Sequence, residues 1–492
     1  RCAYVCPHAV IRPVALTEEE VAQAPEGLKT LDMIGMPGMK FTMTVSAYDC
    51  TGCGSCVNVC PGKKNKETGE VEKALTMSNM EANAGEQTFF DFGREIPVKP
   101  EVVAKFKETT VKGSQFKQPL LEFSGACAGC GETPYAKLIT QLFGDRMYIA
   151  NATGCSSIWG NSSPSTPYTV TPEGKGPAWS NSLFEDNAEF GYGMLLAQNT
   201  IRDRLKAKVE KIAEKTTDEA VKAAAAEYLE TYTVGATNGT ATDKLVAALE
   251  ALDCDCEERA EVLKNKDFLA KKSQWIFGGD GWAYDIGYGG VDHVLASKKD
   301  INIMVFDTEV YSNTGGQSSK ATKTGATAQF AAGGKETKKK DLAGMAMTYG
   351  YVYVAQIAMG ADFNQTVKAI AEAEAYPGPS LIIAYAPCIN HGIKKGMSKA
   401  QTEEQLAVEC GYWNNFRYNP AAEGDKFSLD SKAPKAEGYQ DFLNGEVRYN
   451  ALKRANPAKA DKLFALNEQE AMERYDYLNK LVTVYAAEKE DK

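Results

Sequence analysis

The chain has 492 residues, of which 43% are hydrophobic and 24% charged, and its formal net charge is −10 at pH 7. This length predicts roughly two to four domains with at least one large core. The negative balance argues against nucleic acid as a partner. No apolar run approaches the length of a membrane span and the first residues do not resemble a signal peptide, so we expect a cytoplasmic protein without membrane contact.

The cysteines carry the first strong motif. Thirteen cysteines without a secretion signal point to metal ligation ahead of a disulfide framework. Cys50, Cys53, Cys56 and Cys60, followed by Pro61, have the complete spacing of a bacterial ferredoxin run, in which three thiolates bind one 4Fe-4S cube and the fourth binds a neighbouring cube. A zinc knuckle or a reactive dithiol would not need four cysteines at these spacings closed by proline. The sequence therefore predicts iron-sulfur clusters.

A second, incomplete run lies at the start of the chain. Cys2 and Cys6, followed by Pro7, form the back half of an identical motif whose first two cysteines would precede Arg1. We therefore expect the chain to be part of a longer polypeptide, with a small α+β bacterial-type ferredoxin domain, N-terminally incomplete, over residues 1–61. The two runs supply one complete ligand set (Cys6, Cys50, Cys53 and Cys56) and half of another (Cys2 and Cys60).

Three further segments are predicted from composition. Residues 13–46, polar at their start and rich in Pro and Gly, are expected to form loops and one short helix around the cluster domain. Residues 62–118 are charged and proline-spaced, which predicts a linker arm. Residues 195–272 are rich in Ala, Glu and Lys with a helical period, which predicts a helical insertion. Within it, Cys254 and Cys256 would face different ways on a helix, and we interpret them as ordinary thiols.

The second domain is organised around residues 274–317. An apolar run ends in Gly-Asp-Gly-Trp at 279–282, a crossover follows, and a second apolar run ends in Asp307 and Thr308. Two apolar strands joined by a helical crossover form a βαβ unit with buried parallel strands. Ligands of such sheets lie at the carboxyl ends of the strands, so the polar residues that end both runs are expected to lie together.

The residues at these strand ends suit a metal-bound diphosphate. Gly279 and Gly281 would let the backbone approach a phosphate, while Asp280 and Thr308 offer hard oxygens to Mg²⁺. A lone Gly-Asp-Gly is also a common turn. The second strand with its polar end at a suitable distance favours the ligand site.

The same alternation of strand, glycine-rich turn, helix and strand extends over residues 119–411, which predicts a mostly parallel sheet with helices on both faces. By spacing alone, Cys127 and Cys130 could be a redox dithiol, a zinc half-site or two cluster ligands. Cys155 and Cys388 each follow a predicted strand, where a parallel sheet presents its ligands. These positions favour a cluster beside the diphosphate site.

These motifs together resemble the C-terminal part of the pyruvate:ferredoxin (or flavodoxin) oxidoreductase family. The resemblance spans nearly the whole chain. It is carried by Cys-Ala-Gly-Cys-Gly-Glu at 127–132, Ala-Thr-Gly-Cys-Ser-Ser at 152–157, Gly-Asp-Gly-Trp at 279–282, Tyr-Ser-Asn-Thr-Gly-Gly-Gln at 311–317 and Pro-Cys at 387–388. It implies thiamine diphosphate (ThDP) and Mg²⁺ as cofactors beside the 4Fe-4S clusters. ThDP enzymes carry Asn-Asn where this chain has Asp307-Thr308.

The resemblance also assigns roles to residues. It implies that Mg²⁺ is bound by the Asp280 carboxylate, the Thr308 hydroxyl and the Val310 carbonyl. It makes Glu132, Cys155 and Asn313 the catalytic residues, with Glu132 and Cys155 lining the ThDP pocket and Asn313 facing the substrate. The cluster nearest ThDP would be held by Cys127, Cys130, Cys155 and Cys388. The expected cofactor-contacting residues are Glu132, Cys155, Gly279, Asp280, Gly281, Trp282, Thr308, Glu309, Val310, Tyr311, Ser312 and Asn313.

The activity that the resemblance implies is oxidative decarboxylation of pyruvate with coenzyme A, as in anaerobic metabolism. Electrons would pass from ThDP through three 4Fe-4S clusters to ferredoxin or flavodoxin, in a homodimer completed by further N-terminal domains. No domain for the activating glutamate and the aminopyrimidine end of ThDP is evident here. The alternatives are another 2-oxoacid:ferredoxin oxidoreductase, a non-redox ThDP decarboxylase, and an electron-transfer module with an inactive cofactor domain.

Two remaining segments receive simpler interpretations. The loop after Asn313 ends in a lysine-rich run at 335–340, which we interpret as a solvated turn, with reception of an anionic partner as the alternative. Residues 412–492 are polar and aromatic and end in a helix-like stretch, 467–488. We interpret them as a C-terminal arm that packs across a neighbouring domain or subunit without a chemical role.

Overall fold

The computed structural model describes residues 1–162, 165–182 and 184–487. The strands in chain order are β1 (Ile11–Leu16), β2 (Leu31–Asp32), β3 (Lys40–Val45), β4 (Lys63–Lys64), β5 (Val71–Glu72), β6 (Met147–Ala152), β7 (Ala178–Ser182), β8 (Ser273–Gly279), β9 (Ile301–Asp307), β10 (Val310–Tyr311), β11 (Gln317–Ser318), β12 (Tyr353–Ile357), β13 (Pro379–Tyr385), β14 (Phe416–Tyr418) and β15 (Phe427–Leu429).

The α-helices are α1 (Cys2–Val5), α2 (Glu18–Ala22), α3 (Ser55–Val59), α4 (Glu86–Glu95), α5 (Pro100–Phe106), α6 (Val111–Ser114), α7 (Thr133–Phe143), α8 (Cys155–Ser157), α9 (Asn187–Lys215), α10 (Glu219–Glu230), α11 (Gly235–Ala251), α12 (Glu257–Lys264), α13 (Tyr288–Ala296), α14 (Leu342–Met347), α15 (Phe363–Ala375), α16 (Ala400–Glu409), α17 (Tyr439–Asn444), α18 (Val447–Ala455) and α19 (Pro457–Val484). Short π-helical turns cover Ile158–Ser162 and Gly281–Ile286. Short 3₁₀ turns cover Glu81–Asn83, Gly144–Arg146, Lys266–Phe268, Ile389–His391, Met397–Lys399 and Ala436–Gly438.

The fold is built on one large sheet with the strand order β15-β14-β12-β13-β9-β8-β6-β7. All neighbouring strands from β12 to β7 pair in parallel, and β14 and β15 extend the sheet antiparallel. The central strands β9 and β13 are buried at every position, as strands covered by helices on both faces must be. The predicted α/β fold class is confirmed.

Alternation along the strands creates a core on each face of this sheet. In β9, Ile303 and Val305 belong to a cluster that includes residues of α9, α13 and α19. Met304 and Phe306 belong to a second cluster, with residues of α7 and α15. Because successive side chains of a strand point to opposite faces, one apolar strand serves both cores.

The N-terminal part contains a β-sheet where loops were expected. β1 pairs antiparallel with β3, from Ile11 opposite Val45 to Leu16 opposite Lys40. The expected short helix is α2, which begins with a capping box at Thr17. The polar residues that suggested a loop belong to this helix alone, whereas Val14 in β1 is buried. The expectation of loops and one short helix over residues 13–46 is therefore wrong where β1 and β3 form.

The segment 62–118 contains α4, α5 and α6 and packs against the N-terminal sheet. Phe90 on α4 is buried against Phe123, with 6.1 Å between the ring centroids. Val102 on α5 is buried as well. The segment thus has packed helices of its own, and the domain boundaries given above stay predictions.

The cluster-binding N-terminal region lies directly against the large sheet domain. Tyr4 and Val5 on α1 belong to the same apolar cluster as Leu138 on α7. The Tyr4 hydroxyl donates to the Phe363 carbonyl at 3.1 Å. These contacts fix the first residues of the chain beside the α/β core.

The region predicted to be a helical insertion consists of most of α9 with α10, α11 and α12, which share an apolar core of their own. The expectation of two free thiols is wrong: Cys254 and Cys256 are joined by a disulfide. They lie in the non-helical segment between α11 and α12. Because this segment is not helical, side chains two residues apart can face each other.

The C-terminal segment packs across the large sheet of this chain. β14 and β15 join the sheet edge, while α17, α18 and α19 cover one face and bury Tyr439, Tyr449 and Leu478. Residues 488–492 of the predicted arm lie outside the described residues. A search of the described ranges found no helix with the length and apolar character needed to cross a bilayer.

Candidate active site

The polar ends of β8 and β9 form a compact group of oxygens. Asp280 directly follows β8, and Thr308 directly follows β9, which pairs in parallel with β8. The Thr308 hydroxyl lies 3.0 Å from Asp280 Oδ1 and 3.0 Å from the Val310 carbonyl oxygen. The oxygens of these residues, expected to bind Mg²⁺, therefore lie together at the carboxyl edge of the sheet.

The environment of Asp280 fits a bound cation. Its side chain is fully buried, and burial raises the pKa of the carboxyl well above its ordinary value, with nearby Asp307 raising it further. Ser319 Oγ donates to Asp280 Oδ2 at 2.5 Å. A divalent cation at this carboxylate would stabilise its charged form, and hard oxygen ligands are those that Mg²⁺ prefers. The donor set thus suits Mg²⁺.

The glycines of the Gly-Asp-Gly turn serve different purposes. A Cβ on Gly281 would lie 2.6 Å from the Tyr311 ring, so only glycine lets Tyr311 pack against this turn. A Cβ on Gly279 would meet only the Phe306 carbonyl oxygen, at 3.8 Å. Trp282 is fully buried in the core, under the turn. Gly279 leaves the open approach expected of a diphosphate site, and Gly281 shapes the turn itself.

Lys339, from the lysine-rich run at 335–340, contacts buried carboxylates beside Asp280 and Thr308. Its Nζ lies 2.7 Å from Asp307 Oδ2 and 3.1 Å from Glu309 Oε1, and both carboxylates are fully buried. Lys335 donates to the Ser319 and Thr322 carbonyls. The interpretation of the run as a solvated turn is wrong for these two lysines, because buried carboxylates and carbonyls provide partners that composition does not reveal.

The four cysteines expected to hold a cluster lie on or beside loops next to this group of oxygens. The Gly131 N–H donates to the Pro387 carbonyl at 3.1 Å, which joins the Cys127–Cys130 loop to the segment before Cys388. Burial raises the pKa of Cys388 to about 11, with contributions from Glu132 and Cys127. Burial also raises the pKa of Cys155, and Glu132, Cys388 and Cys130 add to the effect. The four thiols are thus close enough to influence one another.

Cys155 links this group to the oxygen group. Its Sγ lies 3.1 Å from the Ser312 Oγ, in the turn that follows β10. Asn390 joins the segment after Cys388 to the same Ser312 turn, since its Nδ2 donates to the Ser312 carbonyl at 3.2 Å and lies 3.7 Å from Cys388 Sγ. Sequence reasoning missed Asn390, although its position two residues after Cys388 could have indicated it.

The remaining predicted catalytic residues lie at the same edge. Glu132 is buried, its Oε2 accepts a hydrogen bond from Trp159 Nε1 at 2.8 Å, and burial raises its pKa to about 7. Asn313 is exposed in the turn between β10 and β11. Of the predicted catalytic residues, Glu132 is thus buried, Cys155 is half-buried and Asn313 is exposed.

The ferredoxin-type cysteines fall into the two predicted groups. Burial raises the pKa of Cys56 to about 12, and Cys6 and Cys53 contribute to the rise. Burial and then Cys6 and Cys53 raise the pKa of Cys50. Cys6 therefore lies beside the Cys50 run despite its distance in sequence.

Cys2 and Cys60 lie on neighbouring elements of the N-terminal region. Cys2 begins α1 and Cys60 directly follows α3, and these two helices pack against each other. Burial would raise the pKa of Cys60, but backbone N–H groups of Gly62, Ala74 and Leu75 outweigh it and lower the pKa. Backbone donors of this kind stabilise a thiolate and suit a cluster ligand.

Within the described ranges, no group of three or more His, Cys, Asp or Glu side chains converges on a single metal ion. The groups above do not require such convergence. In a 4Fe-4S cube each thiolate binds a different iron, so the ligand sulfurs stand apart. At the oxygen group only Asp280 contributes a carboxylate, beside a hydroxyl and a carbonyl.

Comparison with known proteins adds to this geometry. Residues 262–384 match the family "Thiamine pyrophosphate enzyme, C-terminal TPP binding domain", thiamine pyrophosphate being another name for ThDP. Residues 1–64 match the family "4Fe-4S dicluster domain". The chain is 56% identical to a pyruvate:ferredoxin oxidoreductase of Moorella thermoacetica and 53% identical to a pyruvate-flavodoxin oxidoreductase of Enterobacter agglomerans, over 98% of its length in each case. It spans 41% of the length of either relative.

Proposed function

We propose that this chain, which is similar over nearly all its length to part of the pyruvate:ferredoxin and pyruvate-flavodoxin oxidoreductases, carries the cofactor and electron-transfer part of such an enzyme. The reaction is oxidative decarboxylation of pyruvate with coenzyme A to acetyl-CoA and CO₂, with electrons delivered to ferredoxin or flavodoxin. The observation that supports this proposal is the 3.1 Å contact between Cys155 Sγ and Ser312 Oγ, because it joins a proposed cluster ligand to the proposed diphosphate loop.

Different residues of this chain bind different parts of the cofactor. Asp280, Thr308 and the Val310 carbonyl hold Mg²⁺, and the turns at 279–282 and 309–313 hold the diphosphate. When bound, ThDP supplies the electron sink for decarboxylation of a 2-oxoacid. Glu132 and Cys155 line its pocket, and exposed Asn313 faces the substrate.

The clusters form a relay out of this site. Cys127, Cys130, Cys155 and Cys388 hold the cube that accepts electrons first. A second cube is held by Cys6, Cys50, Cys53 and Cys56, and Cys2 and Cys60 supply half of the ligands of a third. The packing of α1 against α7 supports transfer from the first cube to the others.

The rest of the protein completes the assembly. Further domains supply the activating glutamate and the pocket for the aminopyrimidine end of ThDP, and the enzyme is a cytoplasmic homodimer. The presence of ten cysteines in cluster-like positions favours an oxidoreductase over a non-redox decarboxylase, which has no use for them.

Spectroscopy of the intact protein, purified anaerobically, tests this function. Pyruvate with coenzyme A should bleach the visible iron-sulfur absorbance and produce the EPR signals of reduced 4Fe-4S cubes. 2-Oxoglutarate serves as the control substrate. Faster reduction of the cubes by 2-oxoglutarate than by pyruvate would assign the enzyme to another 2-oxoacid. Release of CO₂ from pyruvate without reduction of any cube would identify a non-redox decarboxylase instead.

A further inference from the structure

Glu309 occupies an unusual backbone conformation between two of the metal-binding residues. Its φ is 59°, in the left-handed region that non-glycine residues rarely adopt. This conformation reverses the chain so that the Thr308 hydroxyl lies 3.0 Å from the Val310 carbonyl oxygen. The geometry of two of the three metal-binding oxygens therefore depends on how Glu309 is held.

The Glu309 side chain is held from three directions. Its fully buried carboxylate lies 3.1 Å from Lys339 Nζ and 2.9 Å from Arg448 Nη2, and it accepts a hydrogen bond from the Tyr412 hydroxyl at 2.5 Å. Two cationic side chains and one hydroxyl therefore hold this carboxylate in place.

The same groups support the other side of the turn. Arg448 Nε donates to Glu446 Oε2 at 2.7 Å, and Glu446 Oε1 lies 3.6 Å from His391 Nδ1. His391 Nε2 donates to the Thr308 carbonyl at 2.7 Å. A buried ring of contacts thus runs from Glu309 through Arg448 back to Thr308.

Three of the residues in these contacts come from the C-terminal segment. Tyr412 follows α16, Glu446 directly precedes α18 and Arg448 lies on α18, all distant in sequence from the strands that carry the oxygens. Arg448 Nη2 also donates to the Tyr412 hydroxyl at 3.1 Å, so each fixes the other. In the described part of the chain, neither side chain hydrogen-bonds to Asp280, Thr308 or Val310, and both contact Glu309 instead.

We propose that Arg448 and Tyr412 are positioning residues for Mg²⁺-ThDP, which lock Glu309 so that Thr308 and Val310 present their oxygens to the metal. The C-terminal segment then sets the metal affinity of a site to which it contributes no ligand. This inference rests on the proposed function, since it requires that Mg²⁺-ThDP binds at Asp280.

Equilibrium binding of ThDP to the intact protein at a series of Mg²⁺ concentrations tests the proposal. Outer groups that orient metal ligands typically change metal affinity by about 10–100-fold when mutated. Arg448→Met should therefore shift the Mg²⁺ dependence by about this factor while the iron content stays at the wild-type value. Arg448→Lys, which keeps the charge, should restore part of the loss.

Arg417→Met is the matched control. Arg417 also belongs to the C-terminal segment and pairs two carboxylates, Glu372 at 2.8 Å and Asp430 at 2.9 Å, but these lie apart from Glu309. It should leave the Mg²⁺ dependence of ThDP binding unchanged. An equal shift in both variants would reduce Arg448 to a general structural role and overturn the proposal.

A double-mutant cycle isolates the route through Glu309. If Arg448 acts on this carboxylate, Arg448→Met should cost much less affinity in a Glu309→Gln background than in the wild type. Full additivity of the two changes would contradict the proposal. If Arg448→Met does not fold, Tyr412→Phe takes its place, since it removes only a hydroxyl, and a wild-type Mg²⁺ dependence there would overturn the proposal.

The two levels of inference fail differently in this experiment. A wild-type protein that binds no ThDP in the presence of Mg²⁺ would overturn the proposed function, and this inference with it. A wild-type protein that binds ThDP, with Arg448→Met and Tyr412→Phe indistinguishable from it, would overturn only the positioning role.

Discussion

The Thr308 hydroxyl lies 3.0 Å from Asp280 Oδ1, although 28 positions separate these residues in the chain. The parallel pairing of β8 with β9 produces this contact, because it brings the carboxyl ends of both strands to one edge. The Val310 carbonyl completes the group at 3.0 Å from the same hydroxyl. Three oxygens from two strand ends thus lie together, as the proposed Mg²⁺ site requires.

Asp280→Asn should weaken Mg²⁺-ThDP binding by more than about 100-fold, because it removes the proposed anionic metal ligand. Mutation of groups that only orient metal ligands typically costs about 10–100-fold. The iron content should not change. Asp292→Asn is the control, because Asp292 lies on α13 and accepts a hydrogen bond from the Tyr349 hydroxyl. Dialysis followed by assay of retained ThDP measures the effect, and equal retention in wild type and Asp280→Asn would refute the metal assignment.

Gly281→Ala should displace Tyr311 and with it the adjoining Val310 carbonyl, because the new Cβ would lie 2.6 Å from the ring. We expect weaker ThDP binding together with a loss of about 1–3 kcal/mol in stability. Gly289→Ala provides the control, since no atom lies within 4 Å of its Cβ position on α13. Calorimetry and ThDP binding measure both effects. Wild-type ThDP affinity in Gly281→Ala would show that Tyr311 does not hold the site.

Glu404 predicts a pH dependence of stability. Burial raises its pKa from 4.5 to about 8, and its Oε2 accepts from the Gly360 N–H and the Tyr135 hydroxyl. The folded state therefore binds a proton that the unfolded state releases between these values, so this contribution to stability is lost as pH rises through the window. Glu404→Gln keeps an acceptor and cannot ionise.

The difference in apparent Tm, Glu404→Gln minus wild type, should therefore increase by a few degrees from about pH 5 to about pH 9. Thermal scans under anaerobic conditions across this range measure the difference. Glu409→Gln is the control, as this residue on the same helix is exposed. A constant difference at all pH values would mean that Glu404 titrates normally.

The motifs that could be predicted from sequence share a local cause. Cys50, Cys53, Cys56 and Cys60 have a spacing that only a few binding geometries use, and strand ends bearing Asp280 mark the edge of a parallel sheet. The fold class followed from these patterns, whereas the assignment of the cysteines to separate clusters stays a prediction.

The features that escaped prediction depend on distant partners. The sequence around Lys339 does not indicate that it forms ion pairs with buried Asp307 and Glu309. The sequence around Arg448 does not indicate its contact with Glu309. The pairing of β1 with β3 was likewise hidden by the polar helix between them. Ion pairs and strand pairing of this kind are set by tertiary contacts, which periodicity and composition do not report.

We propose that electrons leave the ThDP site through the cluster held by Cys127, Cys130, Cys155 and Cys388. Cys130→Ser tests it, because a hydroxyl is a poor ligand for iron and the cube should be lost or its potential shifted. Cys410→Ser is the matched control, since Cys410 is a buried free thiol outside every proposed ligand set.

Rapid-mix EPR with pyruvate and coenzyme A is the most direct measurement. We expect Cys410→Ser to reduce the ferredoxin-type clusters at the wild-type rate, whereas Cys130→Ser should keep these clusters and still bind pyruvate but not reduce them. Reduction of the ferredoxin-type clusters at the wild-type rate in a Cys130→Ser protein that has lost the first cube would contradict this route.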